Sequence, residues 1–262
     1  MDTQMIIVSW PDVCISLGLV AVSVGLIISQ GFGIHKDIMW GSFRSLLQLT
    51  ILGYVLLYVF KITSLFILIG ILVVMALVAA HTGRGRIKRP FPGALTILWF
   101  SIMAGSFFTV AFTTLLTMHN PLALTPQYLI PMAGMMIGNT LNGLSLGAER
   151  LKGELASRRD RVECLLAFGA TADIAVKDCV RSAFAAGMIP TINSLMVMGL
   201  VQIPGIMTGQ VLAGLDPLIA ARYQLIILFM IVAAKTITLS IGLKFGARKY
   251  FTEAHQLRSE LI

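Results

Sequence analysis

Runs of about twenty apolar residues recur from one end of this sequence to the other, and nothing else in it constrains the fold as tightly. A helix rises about 1.5 Å per residue, so a run of that length crosses a hydrocarbon layer about 30 Å thick. Seven such runs are present, at roughly 6–29, 38–60, 64–81, 93–117, 128–146, 188–213 and 218–243. Inside lipid every backbone N–H and C=O must find its partner within the protein, so these runs read as helices. The expected fold is an all-α, polytopic membrane bundle of about seven transmembrane helices. Residues 1–262 read as one transmembrane domain. Composition agrees: the chain is 57% hydrophobic and 12% charged, against about 45–50% and about 25% in soluble domains.

The distribution of bases sets an expected orientation. Arg84, Arg86, Lys88 and Arg89 cluster after the third run. Arg150, Lys152, Arg158, Arg159, Arg161, Lys177 and Arg181 fall within 147–187, and Lys244, Arg248, Lys249 and Arg258 lie in the tail. Bases accumulate on the cytoplasmic side. Seven spans place all three clusters there if the N-terminus is outside and the C-terminus cytoplasmic. The connections near 61–63, 118–127 and 214–217 then face outward with one base, Lys61, and "GIHKDI" is a short inside turn. The net charge of +8 is thus a topological signal, and no nucleic-acid partner is read from it. The expected location is the inner (plasma) membrane, multi-pass. The opening "MDTQMIIVSW" lacks the basic start of a signal peptide and reads as a retained span. Cys14, Cys164 and Cys179 form no C-x-x-C pair, and their odd number argues against a disulfide framework.

Catalytic chemistry is not legible in the chain. It contains no G-x-x-x-x-G-K-[ST] loop, no H-E-x-x-H, no G-x-S-x-G and no paired Cys/His metal spacing. His35, His81, His119 and His255 sit near span ends or in the tail, and no Asp or Glu lies centrally in a span. The reading is a non-enzyme with no cofactor of its own and with metal ligands unknown. Fourteen methionines, including Met132, Met135, Met136, Met196, Met198 and Met207, admit a soft-metal reading. They read better as flexible gap-fillers of an apolar interior.

Polar residues within the spans are candidates for a translocation path. Arg44 lies about 9 Å into the second run, shallow enough to snorkel, with Gln48 one turn deeper on the same face. In the fifth run Asn139 and Asn142 share a face, between Gly134-x-x-x-Gly138 and Gly143-x-x-x-Gly147, spacings that let helix backbones approach. Helix packing with Asn as glue is the competing reading. The sixth run holds Pro190, Pro204 and Gly205-x-x-x-Gly209, so a kinked or interrupted span is expected, lining the path with Asn193, Gln202 and Gln210. Lys235 is deeper than snorkelling explains and is the best candidate for an internal charge.

The segment 147–187 leaves the lipid pattern. Its seven bases are balanced by six acids, which suggests a folded element rather than a topological signal alone. Two helices are expected, about 148–168 and 172–186, separated by Gly169-Ala170-Thr171. Gly169 ends the first, Thr171 caps the second with Asp173 in its first turn, and Glu154–Arg158 and Asp173–Lys177 are acid-first i,i+4 pairs.

Within this segment "ECLLAFGAT" resembles the E-A-A-x-x-x-G loop of ATP-binding-cassette (ABC) importer permeases, with Glu163 six residues before Gly169. Cys164 and Leu165 replace the two alanines, and the downstream proline falls late, at Pro190. Three further stretches, "DIMWGSFRSLLQLTILGYVL", "IPMAGMMIGNTLNGLSL" and "IPTINSLMVMGLVQIPGIMTGQVLAGLDPLIAARYQ", together resemble the FetB family of iron-export ABC permeases, to which plant aluminium-tolerance permeases are similar. The resemblance runs over about residues 35–245.

That resemblance implies a membrane subunit of an ABC exporter acting in metal and oxidative-stress resistance. A separate FetA-like subunit would bind ATP and Mg and hydrolyse the nucleotide, and two copies of each chain would form the working unit, with the permease a homodimer. Its docking residues would be Glu163, Gly169, Ala170, Thr171, Asp173 and Lys177. The implied cargo is iron. Plant relatives point instead to a nucleotide sugar, and an ATPase-independent channel or secondary transporter is the alternative from another class.

Overall fold

The computed structural model describes residues 8–62, 64–87, 90–117 and 124–261. His119 and the bases Lys88 and Arg89 lie outside the described residues. Among those residues the chain is helical, with two isolated bridges, Met198–Gln202 and Phe251–Leu257, as its extended pairings. The protein is an all-α membrane bundle, as its apolar runs require.

The chain divides into two units, Met1–Ile62 with Leu212–Gly214, and Thr63–Val211 with Leu215–Ile262. The first is built on a hairpin of α1 (Trp10–Ser29) and α2 (His35–Val59). The Ser9 amide and hydroxyl both donate to the Asp12 carboxylate at the start of α1. Gly31 and Gly33 make the turn at φ +71 and +74, a backbone region that side chains disfavour. Neither helix buries a side chain, and both carry exposed Leu, Ile and Trp suited to lipid.

The second unit contains the packed core. Its helices are α3 (Leu65–Arg86), α4 (Ala94–Phe112, closing in a π turn, Thr113–Thr117), α5 (Pro126–Ser157), α6 (Arg159–Ala167), α7 (Ala172–Ala175), α8 (Lys177–Val197), α9 (Gly205–Leu212) and α10 (Pro217–Arg248). α10 packs against α4, α5 and α8, and α5 packs in turn against α3, α4 and α8. α3 shows how the pattern becomes packing. Leu68, Leu72, Ala76 and Ala80, one turn apart, are all buried, while Phe66, Val74 and Val78 between them are exposed.

Among the described residues, five helices are long and apolar enough to cross a membrane: α1, α2, α3, α4 with its π turn, and α10. The other two expected spans look different. α5 covers the fifth run but continues far beyond it. Its 32 residues make a rod of about 48 Å, so about 18 Å overhangs a hydrocarbon layer of about 30 Å. The sixth run is interrupted, and the break falls at residues 198–204 rather than at Pro190, which sits exposed inside α8. Gly199 turns the chain at φ +83, and its amide donates to the Gln202 carbonyl at 3.0 Å while the Val201 amide donates to the Val197 carbonyl at 2.9 Å. Several of the freed backbone groups are therefore paired within the break itself.

The charged segment differs from the two helices expected of it. The first half is the overhang of α5, followed after a break at Arg158 by the nine-residue α6. The second half is the short α7 and then the start of α8, which carries on into the sixth run. The tail folds back on itself beyond α10. Tyr250 is 1% exposed and packs against Phe91 with ring centroids 5.6 Å apart, and burial pushes its phenol up to about 12.

Candidate translocation and coupling sites

Three helices meet at Lys235. Its ammonium group comes from α10, is 2% exposed, and donates to the Thr191 hydroxyl of α8 at 2.6 Å. α5 supplies Gly143 opposite. A methyl group there would lie 2.8 Å from the Lys235 Cε and 3.2 Å from the Gly187 carbonyl oxygen, and one on Gly187 would lie 2.8 Å from the Gly143 carbonyl oxygen. Two backbones thus approach within glycine-only distance, and the lysine stem passes beside the crossing. Gly147 continues the seam, facing Leu239 and the Ala183 carbonyl oxygen. Of the small-residue spacings in the sequence, Gly143-x-x-x-Gly147 is a tight helix contact. Gly205 and Gly209 meet nothing within 4 Å, and Gly134 meets only the end of Met75.

Hydroxyl groups line the rest of the interior on the α4 side. The Thr238 hydroxyl donates to the Ser101 carbonyl at 3.1 Å, and the Ser106 and Thr140 hydroxyls lie 3.5 Å apart. Thr109 and Thr140 donate to carbonyls of their own helices. This seam of Ser, Thr and one Lys runs through a largely apolar bundle, in which Gln224 and Ser145 are also buried. The groups named here are paired with each other or with backbone, whereas the Ser145 hydroxyl and the Gln224 Oε1 are buried without a partner among the described residues.

The remaining path candidates of the second unit are not gathered there. Arg44 and Gln48 are exposed on α2, within the first unit. Asn139 is half-buried and donates to the Met135 carbonyl of its own helix at 3.0 Å, while Asn142 and Asn193 are exposed. Gln202 is exposed in the α8–α9 break and Gln210 is half-buried on α9. Among the described residues no three His, Cys, Asp or Glu side chains stand close enough to hold a metal ion.

The coupling candidates form a compact surface at the far end of α5. Glu154, 5% exposed, draws Arg150 to one carboxylate oxygen at 2.6 Å and Arg158 to the other at 2.8 Å, stapling the last turns of α5. Glu163 is exposed on α6 and pairs with Arg159 at 2.7 Å. Gly169 turns the chain at φ +86, where its amide donates to Leu166 and that of Ala170 to Leu165. Thr171 occupies the cap position of α7, but its hydroxyl makes no capping bond. The α7 start is met instead from the tail, where the Ala172 amide donates to His255 Nδ1 at 3.4 Å. Asp173 does not turn to Lys177. Both its oxygens accept from the Arg248 guanidinium, at 3.0 and 2.6 Å. That bond, helped by the positive charges of Arg248 and Lys244, holds its carboxyl below the usual range despite the opposing effect of burial. Arg161 reaches Asp178 at 2.9 Å, tying α6 to the first turn of α8.

Comparison with known proteins places this geometry in a family. A model of an uncharacterised protein family, UPF0014, matches residues 10–251. The chain belongs to the UPF0014 family. A UPF0014 membrane protein of Synechocystis is 35% identical to it over 98% of this chain and 99% of the relative. The protein named probable iron export permease protein FetB of Escherichia coli is 30% identical over 93% of each chain. The protein ALUMINUM SENSITIVE 3 of Arabidopsis thaliana is 30% identical over 94% of this chain and 89% of its own. No solved structure matches. The resemblance to FetB-type and plant aluminium-related permeases therefore stands, and this UPF0014 chain is a multi-pass membrane permease.

Within that family frame, two residues were missed by the sequence reading, Thr191 in the seam and Arg248 at the coupling surface. Thr191 had no visible claim, since a lone Thr in an apolar run reads as filler. A signal did exist in Ala183, Gly187 and Thr191, three small residues four apart on α8 and all buried, which mark the stripe that receives α5 and α10. Arg248 was read as a topological base only, because nothing local shows that it reaches back 75 residues to Asp173.

Proposed function

We propose that this chain is the membrane subunit of an ABC exporter, with ATP hydrolysed on a separate FetA-like subunit carrying ATP and Mg. The observation that carries this reading is the α6–α7 module. A helix and a turn, rich in charge, hang from the overhanging end of α5 and are tied to α8 by Arg161–Asp178 and to α10 by Asp173–Arg248. Those two ties connect an exposed surface to the helices that enclose Lys235. A push on Glu163, Gly169 or Ala170 is thereby transmitted to the α8–α10 contact, which is what an external motor requires. The working unit in this reading is two permease chains with two ATPase subunits, in the inner membrane, with the C-terminus cytoplasmic.

The cargo in this reading is iron, after the relative named as an iron export permease. A nucleotide sugar is the alternative, since the interior seam offers hydroxyls and one ammonium group rather than a cluster of metal ligands. Reconstituted complex in vesicles tests both. ATP hydrolysis stimulated by Fe²⁺, and not by UDP-glucose, is the expected result; the reverse pattern reassigns the cargo. For the motor, a tagged permease is expected to co-purify a Walker-type ATPase, and Glu163→Arg to abolish the association. Transport that persists in Glu163→Arg without any bound ATPase would instead establish a self-contained channel or secondary transporter.

A further inference from the structure

A cleft of about 520 Å³ opens between α8 and α10 at the end of the bundle that carries α6 and α7. Three bases line it: Lys177 and Arg181, one turn apart on α8, and Lys244 on α10. Among the described residues none of the three enters an ion pair. The carboxylates that could have neutralised them are committed elsewhere. Asp173, in the same cleft, has both oxygens on Arg248, and Asp178, beside Lys177, is bound by Arg161. The deeper wall is apolar, formed by Val180 and Phe184 of α8. From Lys177 to Phe184 is seven residues along one helix face, a distance of about 10 Å. Ser240 and Lys244 repeat the gradient on α10, with the hydroxyl one turn deeper than the charge.

We infer that this cleft binds an anionic phospholipid, its phosphate held by Lys177, Arg181 and Lys244 and its glycerol and upper acyl chain lying along Phe184 and Val180. A soluble phosphate would need the three cations but has no use for the apolar wall. An acidic protein surface would find a recess rather than a face. A lipid uses both halves, and a cleft between two helices, basic at its mouth and apolar below, meets the headgroup at the boundary where such lipids lie. The inference rests on the reading of this end of the bundle as cytoplasmic and is independent of the cargo; it gives Lys177, also a docking candidate for the ATPase, to the lipid.

The test uses the full-length permease in nanodiscs of phosphatidylcholine containing phosphatidylglycerol, with retained lipid counted by native mass spectrometry after release into detergent. Wild type is expected to retain phosphatidylglycerol in preference to phosphatidylcholine. The Lys177→Gln/Arg181→Gln/Lys244→Gln variant is expected to retain it on the order of 100-fold less well. Arg222→Gln, at the other end of α10, is expected to behave as wild type. A charge-keeping Arg181→Lys/Lys244→Arg variant is expected to hold the lipid, which separates loss of the site from loss of the fold. Equal retention of phosphatidylglycerol by the triple variant would overturn the inference. Displacement of the lipid by inorganic phosphate as readily as by added phosphatidylglycerol would overturn the lipid assignment in favour of a soluble anion. Loss of the co-purifying ATPase in the triple variant, with lipid retention unchanged, would assign the bases to that partner instead. Failure of Glu163→Arg to release an ATPase would count against the motor while leaving the lipid result intact.

Discussion

Lys235 is the residue on which the interior turns. Its ammonium group is buried, donates to no carboxylate among the described residues, and has the Thr191 hydroxyl as its acceptor at 2.6 Å. A buried charge held by one neutral acceptor is a poor way to stabilise a bundle, because desolvation outweighs what a single hydroxyl returns. Lys235→Met keeps the length of the side chain and removes the charge. It is expected to leave the thermal unfolding midpoint in detergent unchanged or higher, while transport falls at least about tenfold, a loss near 1.4 kcal/mol on the barrier. Transport at the wild-type rate would make the lysine a packing residue. Thr191→Val does the opposite. It strands the ammonium group and is expected to destabilise the fold by about 1–3 kcal/mol, read from the same melting curves. The glycines beside them make a graded set. Gly187→Ala drives a methyl group against the Gly143 backbone oxygen, which cannot move aside, whereas Gly143→Ala meets chiefly the end of the lysine. The first is expected to cost about 1–3 kcal/mol, the second less. Gly209→Ala, with open space around it, is expected to be neutral or slightly stabilising in its helix.

At the scale of elements, the attachment of α7 to α10 is an electrostatic latch with a defined pH range. Arg248 holds the Asp173 carboxyl below its ordinary value of 3.8. The opened form therefore takes up a proton more readily than the closed one, so the latch is at full strength above that ordinary value and is lost as pH falls through the depressed one. Protection of the Ile174 and Ala175 amides in hydrogen exchange, corrected for intrinsic rate, is expected to be constant from neutral pH down to the ordinary carboxylate range and to drop below it. Asp173→Asn is expected to show the lower protection at every pH. A wild-type profile that matches Asp173→Asn at neutral pH would remove the latch. The same elements show what was legible beforehand and what was not. The turn at Gly169 could be read because a residue at φ +86 is almost always glycine, and the interruption of the sixth run followed from its prolines and glycines. The course of α5 past Ser145 could not, because an amphipathic overhang and a separate surface helix share one periodicity. The partner of Asp173 was hidden for a different reason. Lys177 stands at the favoured i+4 spacing, and only the path of α10 brings a bidentate guanidinium closer.

At the scale of the whole molecule, orientation decides which way any of this works. Seven crossings would put the α6–α7 module, the end of α10 and the tail on the cytoplasmic side, and they would require the broken α8–α9 segment and the polar rod α5 to cross although neither is uniformly apolar. The physical case for α5 is its length and its buried face. Sixteen of its residues are buried in the bundle, Gly143 and Gly147 among them, so those small positions do not face lipid. The case for α8–α9 is that the break pairs the amides of residues 198–202 locally and exposes Leu200, Val201 and Ile203, side chains with no reason to face water. The native cysteines provide the test. Cys164 is exposed on α6 and Cys179 is buried at the start of α8. In a Cys14→Ser background, a membrane-impermeant maleimide is expected to label Cys164 in inside-out vesicles and not in right-side-out ones, and to leave Cys179 unlabelled in both until the protein is denatured. If α8–α9 did not cross, α10 would enter from the same side as α6, and a cysteine placed at the exposed Lys249 would label from the face opposite to Cys164. Labelling of both from the inside-out face alone is the result that an odd number of crossings before α6 and an even number after it predict. Labelling of Cys164 from outside would turn the module away from any cytoplasmic ATPase.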